Sequence, residues 1–151
     1  MSATVFVDTN VFVYSRDTTN RDKHIAATAW LSMLWEQQLG KTSYQVLNEY
    51  YVTVTTKLDR RIPLQQARED IQDLLTWNPT QLTDTGLADA WTLQDRFGFS
   101  WWDTLILAAA RTSACAYLLT EDLQHGQLID RLKVISPFEV DPERILRPEA
   151  P

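Results

Sequence analysis

The chain has 151 residues, 44% hydrophobic and 23% charged, with six Trp and one Cys, Cys115. That is enough for one domain with a real core, and a single Cys excludes an internal disulfide or a four-Cys zinc site, which fits a reducing cytoplasm. The net charge of −6 excludes a protein that coats nucleic acid by general attraction, though not a nuclease, because clustered carboxylates add negative charge themselves. No run approaches the ~20 apolar residues of a membrane span. The first ten residues lack the basic segment and long apolar core of a signal peptide, so the chain reads as soluble.

In chain order, Val5-Phe6-Val7 is a short apolar run rich in β-branched and aromatic side chains, suited to a strand buried on both faces. It ends on Asp8, which is either a cap for the next turn or a site residue at the carboxyl edge of a sheet. Val11 to Tyr14 suits one helical turn. A helix then runs from Asp22, its N-cap, to Gln38 and is closed by Gly40, with Ile25, Ala26, Ala29, Trp30, Met33 and Leu34 on its apolar face. The segment Thr42 to Leu58 is open: Tyr50 to Thr56 has strand propensity, whereas Leu47, Tyr51, Val54 and Leu58 share a helical face. Pro63 suits the first position of a helix running to Trp77. Gln81-Leu82 reads as a short strand, and a helix follows from Asp84 to Phe97, ended by Gly98. Ser100 opens a strongly apolar helix through Trp102, Leu105, Ile106, Ala109 and Ala110. Ala116 to Leu119 is a second buried strand, followed by Thr120-Glu121-Asp122, and Val134-Ile135 is a third. Strands alternating with helices imply a parallel sheet with helices on both faces. The domain covers 1–140, and 141–151 reads as a polar, loose tail.

Asp8, Asp103 and Asp122 lie at element ends beside apolar runs, so they can converge on one crevice. Ser100 and Asp103 also fit a helix capping box, and Glu49 alone reads as an ordinary helix acid. Carboxylates gathered this way chiefly hold hard divalent cations such as Mg²⁺ or Mn²⁺, because like charges otherwise repel. His24 and His125 share no zinc-ligand spacing. Phosphate-loop and nucleophile-elbow motifs are absent from the sequence.

Val-Asp-Thr-Asn at 7–10, Asn48-Glu49, Trp-Trp-Asp-Thr-Leu at 101–105 and Leu-Leu-Thr-Glu-Asp-Leu at 118–123 resemble the PIN-domain ribonucleases, and within them the VapC toxins of toxin–antitoxin pairs. The resemblance runs from about residue 4 to Phe138. It implies a doubly wound α/β sheet, a mainly helical 44–58, and an Mg²⁺- or Mn²⁺-dependent endoribonuclease with a small antitoxin partner, as a homodimer. It assigns Asp8 and Asp103 as core metal ligands and Glu49 and Asp122 as the other two acids. Asn10 and Thr120 would orient those acids and the metal waters. Glu121 is one acid beyond the pattern, within reach of the metal's water shell.

RNA must still approach an acidic protein. Arg60 and Arg61 beside Lys57, and Arg16, Arg21 and Lys23 after the first strand, are either solvated surface or phosphate contacts. Trp101 and Trp102 read as packing residues, with base stacking as the alternative. A haloacid-dehalogenase-type phosphatase also begins with a strand ending on Asp, but wants a second acid two residues on, where this chain has Asn10. An inactive PIN-like binding module is the remaining alternative.

Overall fold

β1 (Val5–Val7) is the centre of the molecule, and all three of its side chains are fully buried, as a strand covered on both faces must be. The computed structural model describes residues 3–146. After β1 come α1 (Thr9–Tyr14), α2 (Arg21–Gln37), β2 (Gly40–Lys41), α3 (Tyr44–Val52), α4 (Leu64–Leu74), α5 (Asp84–Phe97), α6 (Trp101–Thr112), β3 (Tyr117–Leu119), β4 (Leu128–Ile129), β5 (Leu132–Ile135) and α7 (Pro142–Leu146). The strands form one sheet ordered β2-β1-β3-β5-β4. β1 pairs in parallel with β2 and β3, β3 pairs in parallel with β5, and β4 runs antiparallel to β5. This is the doubly wound α/β arrangement expected from the sequence.

The chain leaves β1 to one side to form β2, then returns past it to form β3. Strand order therefore reverses at β1, and in open α/β sheets the ligand crevice lies outside the carboxyl ends at such a point. Asp8 follows β1 and Thr120 to Asp122 follow β3, so this topology brings them to the same crevice.

Several local expectations are corrected by packing. The N-cap of α2 is Asn20 rather than Asp22; its side chain accepts from the Lys23 amide at 3.3 Å. The helix ends on Gln38 in the left-handed conformation, φ 58°. Gly40 is free to serve β2 instead, where a Cβ would lie 2.4 Å from the Trp77 ring. The buried face of α2 is Ala27, Trp30, Leu31 and Leu34, and Ile25 is exposed. Segment 44–58 is helical: α3 runs into a π turn over Thr53–Lys57. Burial of Val46, Leu47, Tyr50 and Val54 at helical spacing overrides the strand propensity. Pro63 caps α4 from just outside the helix. No strand forms at Gln81-Leu82; Thr80 makes one isolated bridge to Ser43 beside the end of β2. The tail expected to be loose forms α7 over Pro142–Leu146, with Pro142 and Leu146 buried and the helix packed on α2. Residues 147–151 lie outside the described residues.

Gly40 yields a test of this packing. Gly40→Ala drives a methyl into the indole of Trp77, which is itself buried, and overpacking of this kind costs about 1–3 kcal/mol. Chemical denaturation is expected to show that loss, and Trp77→Phe in the same chain to recover part of it. Equal stability of Gly40→Ala and wild type would mean that the indole moves freely.

Candidate active site

The Asp8 amide donates to the Leu119 carbonyl at 3.1 Å, extending the β1–β3 ladder by one residue. Its side chain is 5% exposed and does two things at once. Oδ1 accepts from the Thr9 amide at 2.7 Å, capping α1, and Oδ2 accepts from the Thr120 hydroxyl at 2.8 Å. The cap and site readings of Asp8 are therefore compatible. The Thr120 hydroxyl accepts from Asn10 Nδ2 at 3.0 Å and from the Asp122 amide at 3.1 Å. With both lone pairs taken, its single hydrogen goes to Asp8. Asn10 Nδ2 also donates to Asp122 Oδ2 at 3.1 Å, and Asn10 Oδ1 accepts from the Glu121 amide at 3.4 Å. One hydroxyl and one amide thus join the two strand-end acids.

The other two acids approach from helices. Glu49, on α3, accepts from the Thr9 hydroxyl and from the Gln45 amide, both at 2.8 Å. Asp103 lies in the first turn of α6, where its amide donates to Ser100 Oγ at 3.2 Å. Among the described residues its carboxylate makes no return bond to Ser100, so half of the expected capping box forms and the charge stays free.

These charges act on one another. Burial above all, with the charges of Asp122 and Glu49 added, pushes the Asp8 carboxyl up to about 7, against the opposing bonds from Thr120 and Thr9. Asp122 is also raised, by burial first and then by Asp103, Glu121 and Glu49. None of Asp8, Glu49, Asp103 or Asp122 has a Lys or Arg ion pair among the described residues. The donor atoms are all oxygen, which suits a hard cation. Among the described residues no three acid, His or Cys side chains close into a ready-made metal cage.

Glu121 has partners of its own. Its carboxylate accepts from the Tyr14 hydroxyl at 2.6 Å and from Lys23 Nζ at 2.8 Å, while its charge still acts on Asp122. The Lys23 ammonium lies 5.0 Å from the centroids of both the Tyr14 and Phe138 rings. Lys23 is thus committed to Glu121 rather than left as a free phosphate contact. Arg60 and Arg61 sit exposed in the bend between the π turn and α4, without an ion pair among the described residues and outside the acid network. Trp102, expected in the packed stripe of α6, is 64% exposed. Sequence reasoning missed Thr9, Gln45, Tyr14 and Lys23 as supports of the acids. Only Gln45 carried a local signal, its i,i+4 spacing to Glu49. Asn10 stands where a phosphatase of the alternative kind needs an acid, and it serves as a donor to the acids instead.

Comparison with known proteins gives a family model, the PIN domain, matching residues 5–129. No curated protein matches significantly. Among solved structures the chain is similar to a toxin–antitoxin complex from Klebsiella pneumoniae, with 19% identity and a TM-score of 0.63 over 91% of this chain and 100% of that one. It is also similar to VapC20 of Mycobacterium tuberculosis, described as a toxin cleaving the sarcin-ricin loop, with 20% identity, a TM-score of 0.57, and 76% and 87% of the two chains covered. VapBC2 of Rickettsia felis, bound to a DNA fragment from its promoter, matches with 16% identity, a TM-score of 0.57, and 87% and 97% coverage. At these identities the structural likeness concerns the fold.

The raised Asp8 carboxyl has a consequence for stability. An acid whose folded pKa is above its unfolded value binds more protons folded than unfolded, so stability falls as pH rises between the two. Its unfavourable contribution is absent below about pH 4 and complete above about pH 7. With chelator present, Asp8→Asn is expected to gain on wild type by a few kcal/mol as pH rises from about 4 to about 8, because each tenfold change in proton affinity is worth ~1.4 kcal/mol. Thermal melts across that range check it. Parallel curves for the two proteins would place the electrostatic burden elsewhere.

Proposed function

The chain belongs to the PIN-domain family, and from that premise we propose that it is a metal-dependent endoribonuclease acting as the toxin of a toxin–antitoxin pair. The observation that carries this reading is the buried Asp8 carboxylate, joined through Thr120 and Asn10 to Asp122 and pushed on by neighbouring acids without a compensating basic residue. Such an arrangement is unfavourable alone and becomes favourable with a divalent cation. Asp8 and Asp103 would hold Mg²⁺ or Mn²⁺, with Glu49 and Asp122 completing the set. When bound, the ion supplies an acidified water and offsets charge on the scissile phosphate.

The chain's own residues do the rest. Thr120 and Asn10 fix the carboxylate oxygens of Asp8 and Asp122, so their geometry is established before substrate arrives. Thr9 and Gln45 do the same for Glu49. Whichever of Glu49 and Asp122 is not directly on the ion would take up the proton released by the attacking water. Arg60 and Arg61, exposed and without acid partners among the described residues, are assigned to RNA phosphates. The partners proposed are RNA, a small cognate antitoxin and a second copy of the chain. The compartment proposed is the cytoplasm; among the described residues no helix is long and apolar enough to cross a membrane.

The decisive test is cleavage of structured RNA by purified protein, free of any partner, with Mg²⁺ or Mn²⁺ and with excess chelator. Cutting is expected with either ion and not with chelator, and Asp8→Asn is expected to be inactive while folded. Undiminished cutting in chelator would refute the metal role of these acids. For the basic pair, Arg60→Ala with Arg61→Ala is expected to make the salt dependence of RNA affinity shallower, by about 0.7 in log–log slope per lost contact to a single strand. An unchanged slope would leave both side chains as solvated surface.

A further inference from the structure

A groove of about 470 Å³ opens between the start of α3, the segment before α5, and α6. Its lining includes Tyr44, Gln45, Thr80, Gln81, Leu82 and Trp102 and contains no charged residue. We infer that this groove is a nucleobase subsite, which receives an unpaired base next to the scissile phosphate and sets where the RNA is cut; the inference rests on the ribonuclease reading above.

Three observations select that ligand. The first is continuity with the acids. Trp102 directly precedes Asp103 on α6, and Gln45 lines the groove while its Nε2 donates to Glu49 Oε1 at 2.8 Å. Through Gln45 the groove borders the acid network, so a base seated here can belong to the same strand as a phosphate at the acids. The second is the chemistry of the walls. Trp102 is 64% exposed and Tyr44 39%, which leaves two large rings open to a flat partner, and stacking on such rings tolerates any base. The side-chain amide of Gln81 makes no hydrogen bond among the described residues, and the Gln45 carbonyl oxygen is left as an acceptor once its nitrogen serves Glu49. Amide edges of this kind can read the donors and acceptors on the edge of an unstacked base. The third is charge. The groove has no charged side chain to pair with a phosphate, whereas a base is neutral, so this is where the base of the bound nucleotide is best accommodated. The volume is within the ~300–1,000 Å³ of small-ligand sites.

The test uses a short single-stranded RNA that the wild-type protein cuts, in which each nucleotide flanking the cleaved bond is made abasic in turn. One abasic position is expected to lower wild-type kcat/KM about tenfold or more. Trp102→Ala should lose a similar factor on intact RNA and lose nothing further on that abasic RNA, the non-additivity of two changes to one contact. Trp102→Phe, which keeps a ring, should retain most of the discrimination. Independent, multiplying losses would overturn the inference. So would a Trp102→Ala protein that keeps the discrimination but changes from dimer to monomer in sedimentation, because the groove would then be a face between two copies. A wild type that cuts RNA but ignores every abasic position defeats this inference alone. A wild type that neither binds nor cuts RNA defeats the ribonuclease reading and this inference with it.

Discussion

Everything at the candidate site hangs on the way β1 and β3 continue past their last paired residues. The Asp8 amide meets the Leu119 carbonyl, and the Thr120 hydroxyl meets the Asp8 carboxylate. The second of these bonds joins points 112 residues apart in sequence, at the edge of the sheet where the strand order turns back on itself. Because Thr120 has both lone pairs engaged, the direction of its hydrogen is dictated, and with it the orientation of Asp8. Asn10 extends the same constraint to Asp122. An amide suits that position, since it donates to a carboxylate without giving up its proton.

The cost of the arrangement is electrostatic. Four acids share one mouth of the fold, one of them buried, and the Lys23 ammonium nearby is bound to Glu121 instead. That contact does more than remove a cation. Glu121 is tied to the end of α1 through Tyr14 and to α2 through Lys23, so the residue between Thr120 and Asp122 is anchored to both helices. With its neighbour held in this way, Asp122 has little freedom to relax away from repulsion. The charge is held in place rather than dispersed.

The strands that pass through the middle of the molecule were legible in sequence because Val5-Phe6-Val7 and Leu118-Leu119 have apolar residues on both faces. Asp8, Asp103 and Asp122 stood out because each lies where an apolar element ends or begins, whereas Glu49, in the middle of α3, was indicated only by the family resemblance. The edge strands were not: Gly40–Lys41 and Leu128–Ile129 are two residues each, too short to show any period. Gly40 reads as a helix stop by composition, and only the proximity of Trp77, remote in sequence, explains its place in β2. The segment 44–58 has local propensity for one structure and packing for another, and burial decides between them. Trp102 shows the reverse failure. It has the helical spacing of a core residue, yet nothing in the described chain covers it.

The two sheet edges share a further property. β2 is a two-residue strand roofed by the Trp77 indole. β4 is equally short, and the turn that joins it to β5 carries Asp130, pinned by Arg96 and Arg111. Edges this short, one of them charge-studded, leave almost no row of unpaired amides and carbonyls for a foreign strand to use as a template. The sheet is consequently closed to augmentation, whether by a misfolded neighbour or by an extended peptide. A protein that recognises this molecule must do so through side chains, on its helical faces or in its crevice, and so by shape and charge instead of by backbone ladders that any sequence could form.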